Sequence, residues 1–204
     1  MGYNPLPSKD EAERILEDAL KQNPGKWGDH SRVAARAAET IAWKCGLDAD
    51  RAYVSGLLHD IGRYEGVRGL HHIIAGYYLM KEKGYDQIAE ICLSHSFPYQ
   101  DLRAFGGGNI DCDEHELKTI TAFLSDHIYN DYDRLLQLCD SMGSAEGVCL
   151  IDVRLLDVAR RYGSDDFTLK KWESILALKK YFDGLCGMNV YDLFYDEIRD
   201  VSFR

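Results

Sequence analysis

Apolar residues in this chain recur at the spacing of an α-helix in one segment after another. Ile88, Ile91, Cys92 and His95 fall at i, i+3, i+4 and i+7 and so share one helix face. Val33, Ala37, Ile41 and Cys45 form another stripe ahead of Gly46, and Val54, Leu57, Leu58 and Ile61 a third ahead of Gly62. No alternating strand pattern runs beyond a few residues. The 4 prolines lie outside the periodic stretches, where a missing N–H breaks no helix. The spacing predicts helices over 8–23, from Asp29 or Ser31 to about Cys45, from Asp48 or Asp50 to Gly62, and over 71–83 and 85–96. It predicts further helices over 114–127, 131–142, 150–162, 168–185 and 191–200. The stretch 97–113, with Pro98 and the run Gly106-Gly107-Gly108, reads as a long loop and a candidate lid. The fold class is all-α, a single-domain helical bundle over 1–204.

Composition narrows the function. A length of 204 residues suffices for one domain with a full core. Apolar residues at 46% and charged residues at 28% are ordinary for a soluble globular protein. The net charge of −10 disfavours a long nucleic acid as partner, because such binders need a basic surface. A small anionic substrate stays compatible, since bound divalent ions invert the local field. The segment 1–9 lacks a charged-then-apolar signal pattern and no apolar run approaches membrane-spanning length, so no membrane partner is expected. The 6 cysteines include no C-x-x-C pair and read as reduced core thiols of a cytoplasmic protein.

Chemistry concentrates at Leu57-Leu58-His59-Asp60-Ile61-Gly62-Arg63, where an apolar helical run stops on an imidazole beside a carboxylate. Adjacent helical residues point about 100° apart. Such a pair makes a poor surface ion pair, but it presents one nitrogen and one oxygen to a metal from a rigid base. His30 stands at the start of the second helix and alone reads as a capping-turn histidine. His95 lies on an apolar face and alone reads as a hydrogen-bonded core histidine. Asp140 sits beside the stripe Leu135, Leu138, Cys139 and Met142, where an unpaired charge is costly, so a salt bridge or a metal is required. His127 reads as a surface residue at a helix end, and the aromatics Tyr191, Phe194 and Tyr195 read as core.

Taken together, His30, His59-Asp60 and Asp140 resemble the H…HD…D order of the HD superfamily of metal-dependent phosphohydrolases. The surroundings His30-Ser31-Arg32-Val33-Ala34, Leu58 to Gly62 and Leu138-Cys139-Asp140-Ser141 resemble that family's blocks, over roughly 28–145. His72, Gly76 and Leu79 resemble the H-x-x-x-G-x-x-L block of several branches, among them the HD domain of ribonuclease Y and the bacterial diadenosine-tetraphosphate hydrolases. His95 resembles the next histidine of those branches. The resemblance implies an HD-type bundle with the helices of 150–204 packed on its core, and two divalent ions sharing the aspartate of the HD pair. His30, His59, Asp60 and Asp140 then hold one ion, and His72 and His95 the other, with His71 the rival of His72.

A set of N and O ligands without thiolate suits Fe, Mn, Co, Ni, Zn or Mg. The resemblance implies hydrolysis of a phosphoester or phosphoanhydride by metal-activated water. Asp60 and His59 lie at its catalytic centre, and a small phosphorylated metabolite, nucleotide or dinucleotide is the substrate. Arg63 follows as a substrate-phosphate contact or a helix-end cation, with Glu65, Arg68 and Arg103 as weaker contacts. The same string also serves di-iron oxygenases that resemble myo-inositol oxygenase. A mononuclear nucleotidase, a non-catalytic nucleotide sensor and a homodimer stay open.

Overall fold

The computed structural model describes residues 5–105 and 109–202. Ten α-helices account for most of them. The first, α1 (Lys9–Gln22), starts where the Ser8 hydroxyl accepts from the Glu11 N–H. The second, α2 (Trp27–Cys45), begins ahead of the expected caps: it is entered from Lys26 with no side-chain cap, so His30 already lies in its first turn. Gly46, at φ 75°, closes it in the left-handed conformation that glycine adopts without strain.

The third helix, α3 (Ala49–Leu58), is capped by Asp48 and ends four residues before the expected stop at Gly62. Asp60 leaves helical geometry at φ −99°, ψ 14°, and a 3-10 turn follows over Ile61–Glu65. Contact with α4 (His71–Glu82) explains the early stop. A Cβ on Gly62 would stand 1.9 Å from the His72 carbonyl oxygen and 2.4 Å from the Gly76 nitrogen. Only glycine lets the turn lie directly on that helix.

The chain continues through α5 (Asp86–Ser94), a 3-10 turn at Leu102–Phe105, α6 (Glu114–Asp126) and α7 (Asp131–Met142). It ends with α8 (Ile151–Tyr162), α9 (Thr168–Cys186), a 3-10 turn at Val190–Phe194 and α10 (Tyr195–Ser202). Among the described residues the fold is all-α, with one isolated antiparallel bridge between Gly143 and Val148 and no strand.

Three apolar clusters form the core. One joins α2 and α7 to the C-terminal helices through Ile41, Leu138, Ile175, Phe182 and Ile198. A second joins α1, α3 and α5 through Leu16, Leu57, Leu58 and Ile88. The third gathers α4, α6 and the 97–105 segment around Ile73, Leu93, Phe97 and Ile120. Close approach of α2 and α3 rests on small residues: a Cβ on Gly56 would meet the Ala35 Cα at 2.6 Å. That approach brings His30 and His59 to the same end of the two helices, with ring centroids 5.2 Å apart.

The expectations for the cysteines and for His127 are corrected. Cys45 and Cys186 form a disulfide across 141 residues, with Cα atoms 4.6 Å apart, so this pair is not reduced. The reading failed because each cysteine sits in a helical stripe that resembles ordinary core. With it goes the support that cysteine usage gave to a cytoplasmic location. Cys92, Cys139 and Cys149 are free and buried, as expected. His127 does sit at the end of α6, but it is half-buried rather than free at the surface: its Nε2 lies 3.1 Å from the buried Asp133 carboxylate and its ring stacks on Phe123. The described parts of 97–113 are tied down. Lys171 Nζ donates to the Phe105 carbonyl, Leu70 N donates to the Asn109 carbonyl, and the Asp111 carboxylate accepts from the N–H groups of Gly69 and His71. The triglycine of the suggested lid lies outside the described residues.

Candidate metal centre

Five helix ends bring the centre together. His30 enters from the first turn of α2, and His59 and Asp60 leave the C-terminal end of α3. His72 opens α4, His95 follows α5, and Asp140 projects from the last turn of α7. Five of the six are buried, and the Asp140 side chain is 28% exposed. The one carboxylate open to solvent marks the side from which a ligand reaches the cluster.

Backbone carbonyls set the imidazole tautomers. His59 Nδ1 lies 2.7 Å from the Gly56 oxygen, His72 Nδ1 2.5 Å from Gly69 and His95 Nδ1 2.9 Å from Cys92. A carbonyl only accepts, so each Nδ1 carries the proton and donates it. Each Nε2 is then left as a lone pair turned inward, the orientation that holds a histidine ready as a ligand. His59 Nε2, His72 Nε2 and Asp60 Oδ1 are buried without a hydrogen-bond partner.

Electrostatics keep these groups in ligand form. Burial pushes the His59 imidazole down to about 4, so it is neutral at pH 7. Burial, then the nearby Arg63 cation, also lowers His72. Burial opposes ionisation of Asp60. The Arg63 charge outweighs it and holds the carboxyl well below the usual range. Asp140 is likewise lowered against its burial, by the His30 hydrogen bond and the surrounding imidazoles.

Neutral His72 therefore turns a lone pair toward Asp60 Oδ1 at 3.2 Å, with no proton between them. Such facing acceptors are repulsive unless a cation sits between them. The other separations run from 3.0 to 3.8 Å, at or slightly beyond the spacing of neighbouring ligands. His30 Nε2 lies 3.0 Å from Asp140 Oδ1, His59 Nε2 3.8 Å from the same oxygen, and His95 Nε2 3.6 Å from Asp60 Oδ1. With metal–ligand bonds of about 2.1 Å, neighbouring donor atoms fall roughly 3–3.5 Å apart. The residues fit a metal. Two buried triads can each hold an ion, His30-His59-Asp60 and Asp60-His72-His95, and within each the ligand atoms lie within 4.8 Å of one another.

The structure brings His72, not His71, into the centre. His71 turns outward between Glu65 and Glu116. Arg63 Nε donates to Asp60 Oδ2 at 2.5 Å, which makes it first a partner of the shared carboxylate. Glu65 pairs with Tyr64 and His71, and Arg103 binds Asp101 and lies over the Phe167 ring. Lys171 of α9 was missed. Its half-buried side chain donates to the Phe105 carbonyl, and burial lowers its ammonium while the Asp140 charge raises it. No motif marks it, because it lies about thirty residues beyond the last histidine-aspartate block.

A helical bundle that converges inward-turned imidazole lone pairs and two ionised carboxylates on one pocket is a metal-binding scaffold. Residues 27–143 match the HD domain family, which is more than half of the chain, and the chain belongs to that family. At family level it is a metal-dependent phosphohydrolase that binds divalent metal. Among solved structures it is similar to the HD domain of the phosphodiesterase PgpH of L. monocytogenes. The sequence identity is 17% and the TM-score 0.48, over 90% of this chain and 94% of that one. Among the described residues no helix is long and apolar enough to cross a membrane.

Proposed function

We propose that this chain is one HD-type domain that hydrolyses a phosphoester or phosphoanhydride of a small nucleotide or dinucleotide at a dinuclear centre. The carrying observation is that Asp60 belongs to both buried triads. His30, His59, Asp60 and Asp140 hold one ion, and Asp60, His72 and His95 the other. Bound there, divalent ions supply Lewis acidity, which lowers the pKa of water toward ~7 and offsets phosphoryl charge.

The chain's own residues do the rest. The three backbone-fixed histidines keep their lone pairs aimed without reorganisation. Arg63 holds Oδ2 of Asp60, so the shared carboxylate keeps one orientation. Lys171 neutralises a phosphoryl oxygen at the open Asp140 side, and Phe105, 6.4 Å from the His72 ring, offers an aromatic face for a base. Two cations beside the cluster favour a phosphorylated substrate over a neutral polyol, and so favour hydrolysis over the oxygenase chemistry of related ligand sets. The core that α2 and α7 share with α8 to α10 supports a single domain.

Metal content and turnover test the reading together. Purified protein is expected to carry two ions per chain, falling to about one in His72→Ala and His95→Ala. It should release phosphate or nucleoside monophosphate from a panel of nucleotides and dinucleotides with no uptake of O₂. One ion in all three proteins, or O₂ consumption without phosphate release, would refute it.

A further inference from the structure

Outward from His72 a second cluster of metal-ligating side chains forms, and the reaction above does not use it. His71 comes from the first residue of α4, Cys112 from the segment before α6 and Glu116 from the first turn of α6. One ligand atom of each lies within 4.8 Å of the others. His71 Nδ1 is 3.2 Å from Glu116 Oε1. The other ring nitrogen, Nε2, is 2.8 Å from the Glu65 carboxylate. All three ligand residues are half-buried, and Cys112 packs on the apolar cluster of α4 and α6.

We propose a second metal site here, separate from the HD centre, taking a borderline-soft divalent ion such as zinc. Its ligands are His71 Nδ1, the Cys112 thiolate and the Glu116 carboxylate, with the fourth position open. Three observations carry it. The ligand types are those of zinc sites with three protein ligands, and the thiolate gives a preference that the N/O ligands of the HD centre lack. Glu65 accepts from Nε2–H of His71, which leaves Nδ1 as the lone pair and reproduces the carboxylate–histidine–metal arrangement. Glu116 divides its oxygens: Oε2 accepts from the Asp113 N–H while Oε1 faces His71.

Burial and the neighbouring Glu116, Asp111 and Asp113 carboxylates push the thiol up to about 12, so it is protonated when metal-free. Binding therefore forms the metal–sulfur bond and releases the Cys112 proton to solvent. The bound ion ties the 109–113 segment to the start of α4. Asp111 already accepts there from Gly69 N and His71 N, one residue before His72.

Cobalt(II) loading of the full chain tests this with a spectroscopic signature. The HD centre offers no sulfur, so thiolate-to-cobalt charge-transfer absorption in the near ultraviolet reports the second site alone. Expected are a saturable band in the parent that zinc bleaches, and its loss in Cys112→Ser and His71→Ala with one ion fewer per chain. Glu65→Gln, an exposed change, keeps the band but needs roughly tenfold more cobalt. Absence of the band in the parent means that His71 only bridges two carboxylates, and it overturns the proposal. Persistence of the band in Cys112→Ser, from another thiol, overturns it as well.

Discussion

Single side chains decide both the charge state of the centre and its response to acid. His59 is neutral and buried in the fold, with a pKa of about 4 against an ordinary 6.5. In the unfolded chain it takes up a proton as pH falls through 6.5, while the folded chain resists until about 4. Unfolding therefore absorbs a proton in that window, and stability falls with falling pH there. The loss from this group is on the order of 3 kcal/mol for metal-free protein. His72 is lowered too and adds to the loss in the same direction. Asp60 and Asp140, both held below the ordinary carboxylate value, contribute stability present above that value and lost below it. Urea unfolding of metal-free protein at pH 7, 5 and 4 checks this, and a flat profile from 7 to 4 would rule out a neutral buried His59. At Lys171, Lys171→Ala removes a charge-assisted contact of about 1.5–3 kcal/mol, which is roughly ten- to a hundredfold in kcat/KM. A variant with unchanged kcat/KM and unchanged metal content would show that Lys171 only anchors Phe105.

At the scale of elements, the turn after α3 links sequence to site. Gly62→Ala places a methyl group against the His72 carbonyl and the Gly76 nitrogen, both backbone, so α4 must shift as a whole. The expected cost is about 3 kcal/mol, with a loss of metal from the His72 side. Thermal unfolding and metal counting read both, and an alanine variant with parental metal content would sever the link. This is also where the sequence was most and least informative. Periodic apolar stripes marked the helices, and glycines such as Gly46 marked some of their ends, because burying one face of a helix leaves that imprint. His59-Asp60 and the glycine that follows were legible as a metal-presenting unit, and His72 was separable from His71 by its spacing to Gly76. The end of α3 was not legible. Ile61 continues the stripe, and only the close approach of α4, a long-range contact, moves Asp60 out of helical geometry. The burial of His127 was missed for the same reason, since its partner Asp133 lies across a turn on the next helix. Lys171 was hidden because one lysine on a charged helix carries no pattern.

Across the whole molecule, one covalent link closes most of the chain into a loop. The Cys45–Cys186 disulfide joins the end of α2 to the end of α9, and so joins the family-matched segment to the C-terminal helices. The metal ligands all lie within that loop except His30, which α2 connects directly to it. A crosslink over 141 residues restricts the unfolded chain far more than the folded one, which already holds Cys45 and Cys186 in packed helices. Its entropic contribution is about 4–5 kcal/mol. The double variant Cys45→Ser/Cys186→Ser, or mild reduction of the parent, should therefore lower the urea midpoint strongly. Metal content at low temperature should not change, because Cys45 lies at the opposite end of α2 from His30. Both helices are also held by Ile41, Phe182 and Val190, so the reduced protein stays folded in the absence of denaturant. Paired urea titrations with and without reductant, each followed by metal analysis, separate the two effects. A midpoint that ignores reductant would mean the two thiols are not joined in the purified protein. A loss of metal alongside the shifted midpoint would mean that the C-terminal helices set the geometry of the centre, and not only its stability.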